Sequence, residues 1–155
     1  MSFGIWIWSI IFSILPLSEL RGGIPYAILN GISPINAFLI CVLANIAIIP
    51  VIFFFLDYVN HFLLKIKSWN KFFNFYLNKK VEKAKKKYEI LSYLALFFLV
   101  AIPAPGTGAY TGVLLAWSFK LNRKKSFAVI GLGVITAGIA VTLLTILGKS
   151  LFGLF

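Results

Sequence analysis

The sequence predicts an all-α integral membrane protein of two inverted repeats, each a re-entrant helical hairpin followed by one transmembrane helix. Three observations carry that reading. Of 155 residues, 61% are hydrophobic and only 12% charged, about half the charge of an ordinary soluble domain, which carries roughly 25%. The charge is also segregated: Glu19 and Arg21 are the only charged residues before Asp57, whereas nine lysines fall between Lys65 and Lys87. A soluble protein with a large core would need its charge spread over the whole surface. Finally, the apolar sequence forms four blocks, and only two of them are uninterrupted.

The blocks are 3–32, 34–58, 90–119 and 126–152. The second and fourth are long enough to cross a hydrocarbon core at about 1.5 Å per residue. Small residues recur on one face of each: Ala37, Cys41 and Ala44 in the second, Gly133, Ala137 and Ala140 in the fourth. Such stripes let membrane helices approach closely.

The first block is interrupted by PLSELRGGIP (Pro16–Pro25) and the third by PAPGTG (Pro103–Gly108). Proline and glycine at this density remove amide donors and permit non-helical dihedrals, so both segments read as breaks. What is left of the third block, Ile90–Ile102 and Ala109–Phe119, makes two pieces of about 16–20 Å each, half a bilayer or slightly more.

Charge then sets the topology. A spanning third block would put the Lys65–Lys87 cluster and the cluster of Lys120, Arg123, Lys124 and Lys125 on opposite sides. The positive-inside bias puts both in the cytoplasm. The third block therefore dips in, turns at PAPGTG and returns, and the first block does the same from the opposite side. One membrane domain spans 1–155, with a first repeat at 1–58, a basic segment at 59–89 and a second repeat at 90–155. Within 59–89, Phe73, Leu77, Val81, Ala84 and Tyr88 share a helical face, and Trp69, Phe72 and Phe75 suit headgroup depth. The segment reads as an amphipathic helix on the cytoplasmic leaflet, a surface linker or a collector of anionic lipids.

Other classes fit poorly. The net charge of +11 flanks apolar spans rather than a water-soluble fold, so nucleic acid is not an expected partner. One cysteine, Cys41, and one histidine, His61, leave no internal disulfide, no metal centre and no nucleophilic triad. No cofactor is expected, nor enzymatic activity. The opening MSFGIWIWSIIFSILP has no basic stretch and no small-residue cleavage site, and reads as membrane sequence rather than a signal peptide.

Chemistry points to the two breaks. Ionised groups at bilayer depth cost about 2.5–3.5 kcal/mol on insertion scales and persist where they pair, line a wet cavity or bind substrate. A partly dry carboxylate can trade protons near neutral pH, which makes Glu19 the candidate proton-coupling group. Arg21 offers a forked donor set for phosphate or carboxylate. The alternative is a structural Glu19–Arg21 pair closing the loop. Across from them, the amides freed in PAPGTG and the helix N-terminus near Ala109 make a donor-rich spot. There Thr107, Gly108, Tyr110 and Thr111 are candidate substrate ligands. Asn45, midway along the second block, either reaches this cavity or makes an interhelical hydrogen bond. Asp57 and His61 read as an interfacial polar cap, or as a small proton relay.

The segments SELRGGIPYA (Ser18–Ala27) and PAPGTGAYTG (Pro103–Gly112) resemble the signature segments of the small multidrug export protein family of prokaryotes. That family is distantly similar to the DedA group of membrane proteins, and the resemblance covers nearly the whole chain. It implies re-entrant hairpins and a transport role, with Glu19 and Arg21 on the family's charged motif. The DedA link further implies translocation of phosphate-bearing lipids, although no arginine lies in residues 90–119, where the DedA pattern has one.

Three functions stay open: a proton-coupled, alternating-access transporter of a small amphiphilic substrate, a translocase for lipid phosphates, and a non-transporting scaffold. Expected partners are membrane lipids, the substrate, protons and further copies of the chain in a homo-oligomer. The topology has a direct test. Single cysteines placed at Asn70 and Asn122 should react with a membrane-impermeant thiol reagent from the same, cytoplasmic side, and labelling from opposite sides would remove the hairpin argument.

Overall fold

The computed structural model describes residues 2–63, 79–104 and 106–151, and for residues 2, 60–63 and 79–89 it describes the backbone alone. All regular structure among them is helical: α1 (Ser2–Ile14), α2 (Glu19–Leu29), α3 (Pro34–Leu63), α4 (Lys79–Ala101), α5 (Ala109–Ser118) and α6 (Arg123–Leu151). Two of these carry stretches long and apolar enough to cross a membrane, Pro34–Val59 in α3 and Arg123–Leu151 in α6. The others are short, or apolar over only part of their length.

The first three helices form one unit. Ser9 O lies 4.0 Å from Cys41 Sγ, and one turn further along both helices Asn45 Nδ2 donates to Ser13 O at 2.7 Å. Hence α1 runs parallel to α3 and stops beside its middle. Pro16 lacks the amide that would continue α1, and the chain reverses over Leu15–Ser18. Helix α2 then returns along α1. A Cβ on Gly23 would lie 1.9 Å from Ser13 Oγ and 2.8 Å from Ser9 O, so only glycine permits this approach. The rings of Phe12 and Tyr26 meet edge-on at 5.1 Å.

The last three helices form a second unit. Asp57 forms a two-pronged ion pair with Arg123, with Nη1–Oδ2 and Nη2–Oδ1 both 2.8 Å, and accepts from Trp117 Nε1 at 3.0 Å. The Asn122 amide donates to Tyr93 Oη at 3.2 Å. These bonds gather the end of α3, the end of α5, the start of α6 and Tyr93 of α4 at one place, the basic end. From there α4 runs to the middle of α6, where Val100 lies against Gly133, and α5 returns. The long helices are antiparallel, and they touch again where Gly138 meets Val42 and Phe38. The second short helix of each unit packs on the long helix of the other: α2 on α6, and α5 on α3.

Polarity is arranged inside out. Ser9, Ser13, Glu19, Asn45 and Ser126 are buried, while Phe3, Leu17, Leu43, Phe54, Ile90 and Leu144 are exposed. In water that surface would be an aggregation hazard, but against lipid it costs nothing.

Two expectations need correction. The first break is not Pro16–Pro25 but four residues, Leu15–Ser18, because α2 starts at Glu19 and continues through Gly22, Gly23 and Pro25. Burial of Leu20, Ile24, Ala27 and Ile28 outweighs the poor local propensity, as tertiary packing commonly does. The glycines serve close packing here rather than a loop. Nor does a new helix begin at Ile90, because α4 is continuous from Lys79. The aromatic face drawn from Trp69, Phe72, Phe73, Phe75 and Leu77 lies outside the described residues, as do the side chains of His61, Val81, Ala84 and Tyr88. The small-residue stripe on α6 is used within the chain at Gly133 and Ala137, both buried.

The glycine contacts make opposite predictions for two substitutions. Gly23→Ala should cost about 1–3 kcal/mol through overpacking against α1. Gly131→Ala places its Cβ where nothing lies within 4 Å and should be neutral or stabilising by up to about 1 kcal/mol, since alanine outranks glycine in a helix. Denaturant unfolding of the two variants in the same detergent checks the sign of each.

Candidate functional site

The two interruptions meet in the middle of the molecule. The turn after α1 delivers Glu19 with φ 45°, a left-handed conformation that a side-chain-bearing residue adopts at a cost. The segment between α4 and α5 is closed by Thr107. Its hydroxyl lies 2.7 Å from Ile102 O and 2.8 Å from Ala104 O, and accepts from the Ala104 amide at 3.1 Å. The Thr111 hydroxyl donates to Gly106 O at 2.8 Å. Gly106 and Gly108 take φ 81° and 140°, which lets the chain turn tightly before α5 begins.

Glu19 and Arg21 form no ion pair with each other. Each reaches across to the other interruption instead. A Glu19 carboxylate oxygen, Oε1, accepts from the Tyr110 amide at 3.5 Å, and the Ala109 amide also faces the carboxylate. A carboxylate at a helix N-terminus is favoured by both the unpaired amides and the helix dipole. Arg21 Nη2 donates to Thr107 O at 3.1 Å. Tyr110 completes the junction by donating its hydroxyl to Ile14 O. Gly108 is the contact surface for Glu19, because a Cβ there would stand 1.9 Å from Oε2.

Five of the candidate residues surround one small cavity of about 20 Å³: Glu19, Arg21, Asn45, Thr107 and Gly108. Tyr110 and Thr111 line a separate cleft of about 400 Å³ with Ile48, Val51, Phe55 and Leu114, toward the basic end. A second cleft of about 400 Å³ opens toward the far end. Arg21 and Lys149 supply its charge, Thr145 its hydroxyl, and Pro25, Leu29 and Leu144 much of its apolar wall. The hydroxyls of Thr107, Tyr110 and Thr111 are thus engaged in holding the junction together, while Arg21 borders both the small cavity and the far-end cleft.

Sequence reasoning missed Ser13 and Lys149. Ser9 and Ser13, one turn apart in an apolar helix, were the available signal for a polar face on α1. Lys149 stands alone in the otherwise charge-free run after Lys125, the same isolation that marks Arg21. Asp57 is engaged by Arg123 and Trp117. The His61 side chain, which a relay would need, lies outside the described residues. No group of His, Cys, Asp and Glu among the described residues could hold a metal ion.

Comparison with known proteins places the chain at the level of family. Residues 19–140 match the model of the family described as "Putative small multi-drug export protein", and the chain belongs to that family. The match begins at Glu19 and takes in Arg21, Asn45 and residues 107–110. It indicates a transport protein rather than an enzyme, in keeping with the two long apolar helices. No curated protein and no solved structure matches the chain.

The Glu19–Gly108 contact should be measurable as a coupling. Gly108→Ala forces a methyl group onto the carboxylate and holds alanine at φ 140°, a strain of about 1–3 kcal/mol before the clash is counted. On a Glu19→Ala background the clash disappears, so the double mutant should fall short of additivity by about 0.5–3 kcal/mol. Gly106→Ala, with nothing within 4 Å of its Cβ, should show no coupling to Glu19. Unfolding of the four proteins in one detergent provides the test.

Proposed function

We propose that this member of the small multi-drug export family moves a small amphiphilic substrate across the membrane by alternating access, coupled to protons through Glu19. The observation that carries the reading is the junction between the two clefts. Each cleft, at about 400 Å³, is of a size that small ligands occupy, roughly 300–1,000 Å³. One lies toward the basic end and the other toward the far end. The contacts of Glu19 and Arg21 with residues 107–110 close the space between them. Breaking and remaking that seam would expose the clefts in turn, and a change of charge on Glu19 is a switch able to bias it, because the amides of α5 favour the carboxylate over the neutral acid.

In this reading α1–α2 and α4–α5 are re-entrant hairpins entering from opposite faces, α3 and α6 are the spanning helices, and the basic end is cytoplasmic. The reciprocal packing of α2 on α6 and of α5 on α3 supports an inverted repeat, an arrangement in which broken helices meet at a central site. Substrate contacts fall to Arg21 and to the walls of the clefts, with Asn45, Thr107, Gly108, Tyr110 and Thr111 maintaining the seam. A homo-oligomer would cover part of the apolar perimeter.

A second reading, translocation of a lipid phosphate, is favoured by one specific feature. Arg21 and Lys149 share the far-end cleft, and among the described residues no acidic side chain lines it. An apolar wall with two cations and no anion suits an acidic head group on a hydrocarbon tail.

Reconstituted liposomes separate these functions. With a pH gradient imposed, the wild type should accumulate substrate and Glu19→Gln should lose the gradient-driven component while folding normally. Arg21→Lys keeps the charge but loses the fork, so it should weaken transport of an anionic amphiphile more than that of a cationic one. Normal transport by Glu19→Gln with an unchanged pH profile would make the carboxylate a structural part of the junction. No substrate-dependent flux at all would favour the scaffold.

A further inference from the structure

One atom of the junction is left without a partner. Asn45 is fully buried and spends Nδ2 on Ser13 O, but its Oδ1 has no hydrogen bond. Buried carbonyl oxygens are almost always satisfied, by protein or by ordered water. Asn45 lines the 20 Å³ cavity together with Glu19 and Arg21. In such a measure a single water needs roughly 10–15 Å³ and two to four polar partners. The cavity has room for one water and no more.

We propose that this cavity is a buried water site. The water donates to Asn45 Oδ1 and to the Glu19 carboxylate and accepts from the Arg21 guanidinium. Other occupants fit worse. An anion would face two acceptor oxygens. A sodium ion would sit beside the guanidinium with too few oxygen ligands, and an apolar group would leave Oδ1 unpaired. Asn45 is then a positioning residue: it anchors the water that Glu19 needs.

The site also has a direction. Arg21, Pro103 and Val141 border both this cavity and the far-end cleft. The water therefore gives Glu19 a proton route toward that cleft. As an O–H bond of the water breaks, one forms on the carboxylate, and the water regains a proton from solvent in the cleft. The charged and titratable groups facing Glu19 are Arg21 on its own helix and Tyr110 on α5. The proton route rests on the transport reading, whereas the water site does not.

Ala137 lines the cavity from α6 and is buried, which allows a test that leaves Asn45 and Glu19 intact. Ala137→Val and Ala137→Thr add nearly the same volume, but only threonine brings a hydroxyl to replace the water. Filling an empty apolar void with valine should raise the melting temperature, and expelling a hydrogen-bonded water should lower it. The expected order in detergent is therefore threonine above valine by at least about 2 °C, with valine below wild type. The infrared carboxyl band of Glu19, assigned from the difference between wild type and Glu19→Gln, should shift in Ala137→Val and in Asn45→Leu, and should shift less in Ala137→Thr. A Glu19 band unmoved by Ala137→Val, or a valine variant at least as stable as the threonine variant, overturns the proposal. If these shifts appear but liposomes show no proton-driven flux, the water site stands and the transport reading alone fails.

Discussion

The fold depends on mutual satisfaction between two helix interruptions. Each leaves backbone donors and acceptors without intrahelical partners, and neither lipid nor an apolar core can supply them. Here each interruption serves the other: the amide of Tyr110 reaches Glu19, the carbonyl of Thr107 takes Arg21, and the carbonyl of Ile14 takes Tyr110. A unit folded alone would expose these groups. The two units therefore need one another for electrostatic reasons before any apolar packing is counted.

This constraint explains why Glu19 and Arg21 do not pair. A Glu–Arg pair within one turn of α2 would satisfy both side chains and leave the amides of α5 and the Thr107 carbonyl empty. Crossing over satisfies five groups rather than two. It also leaves the guanidinium, which spends Nη2 on Thr107 O, at the edge of a cleft. Such an arrangement joins two halves firmly and still keeps a charged group available for a ligand.

Close backbone approach is the second requirement. Gly23 admits α1 against α2, Gly133 admits α4 against α6, and Gly138 admits α3 against α6. In a membrane, where apolar burial contributes little to helix association, such contacts and a few interior hydrogen bonds carry the assembly. The ion pair of Asp57 with Arg123 adds less than its two short bonds suggest, since its side chains are 37% and 62% exposed and solvent screens such pairs. Its value lies in orientation: it fixes which ends of the long helices adjoin.

Composition and charge placement made much of this legible in advance. Two long apolar runs, two interrupted ones and the meeting of the breaks around Glu19, Arg21 and Gly108 follow from hydropathy, proline chemistry and the cost of isolated charge. The extent of the first break was not legible, because SELRGGIP has the composition of a loop and becomes helix only once α1 buries one of its faces. Nor could one chain position reveal that Glu19 would choose the amides of Ala109 and Tyr110 over Arg21 two residues away. Local sequence determines which segments can be helical and where their ends must leave polar groups unpaired. Which partner each unpaired group finds is a long-range choice, and only the tertiary structure, which brings Glu19 to the start of α5, decides it.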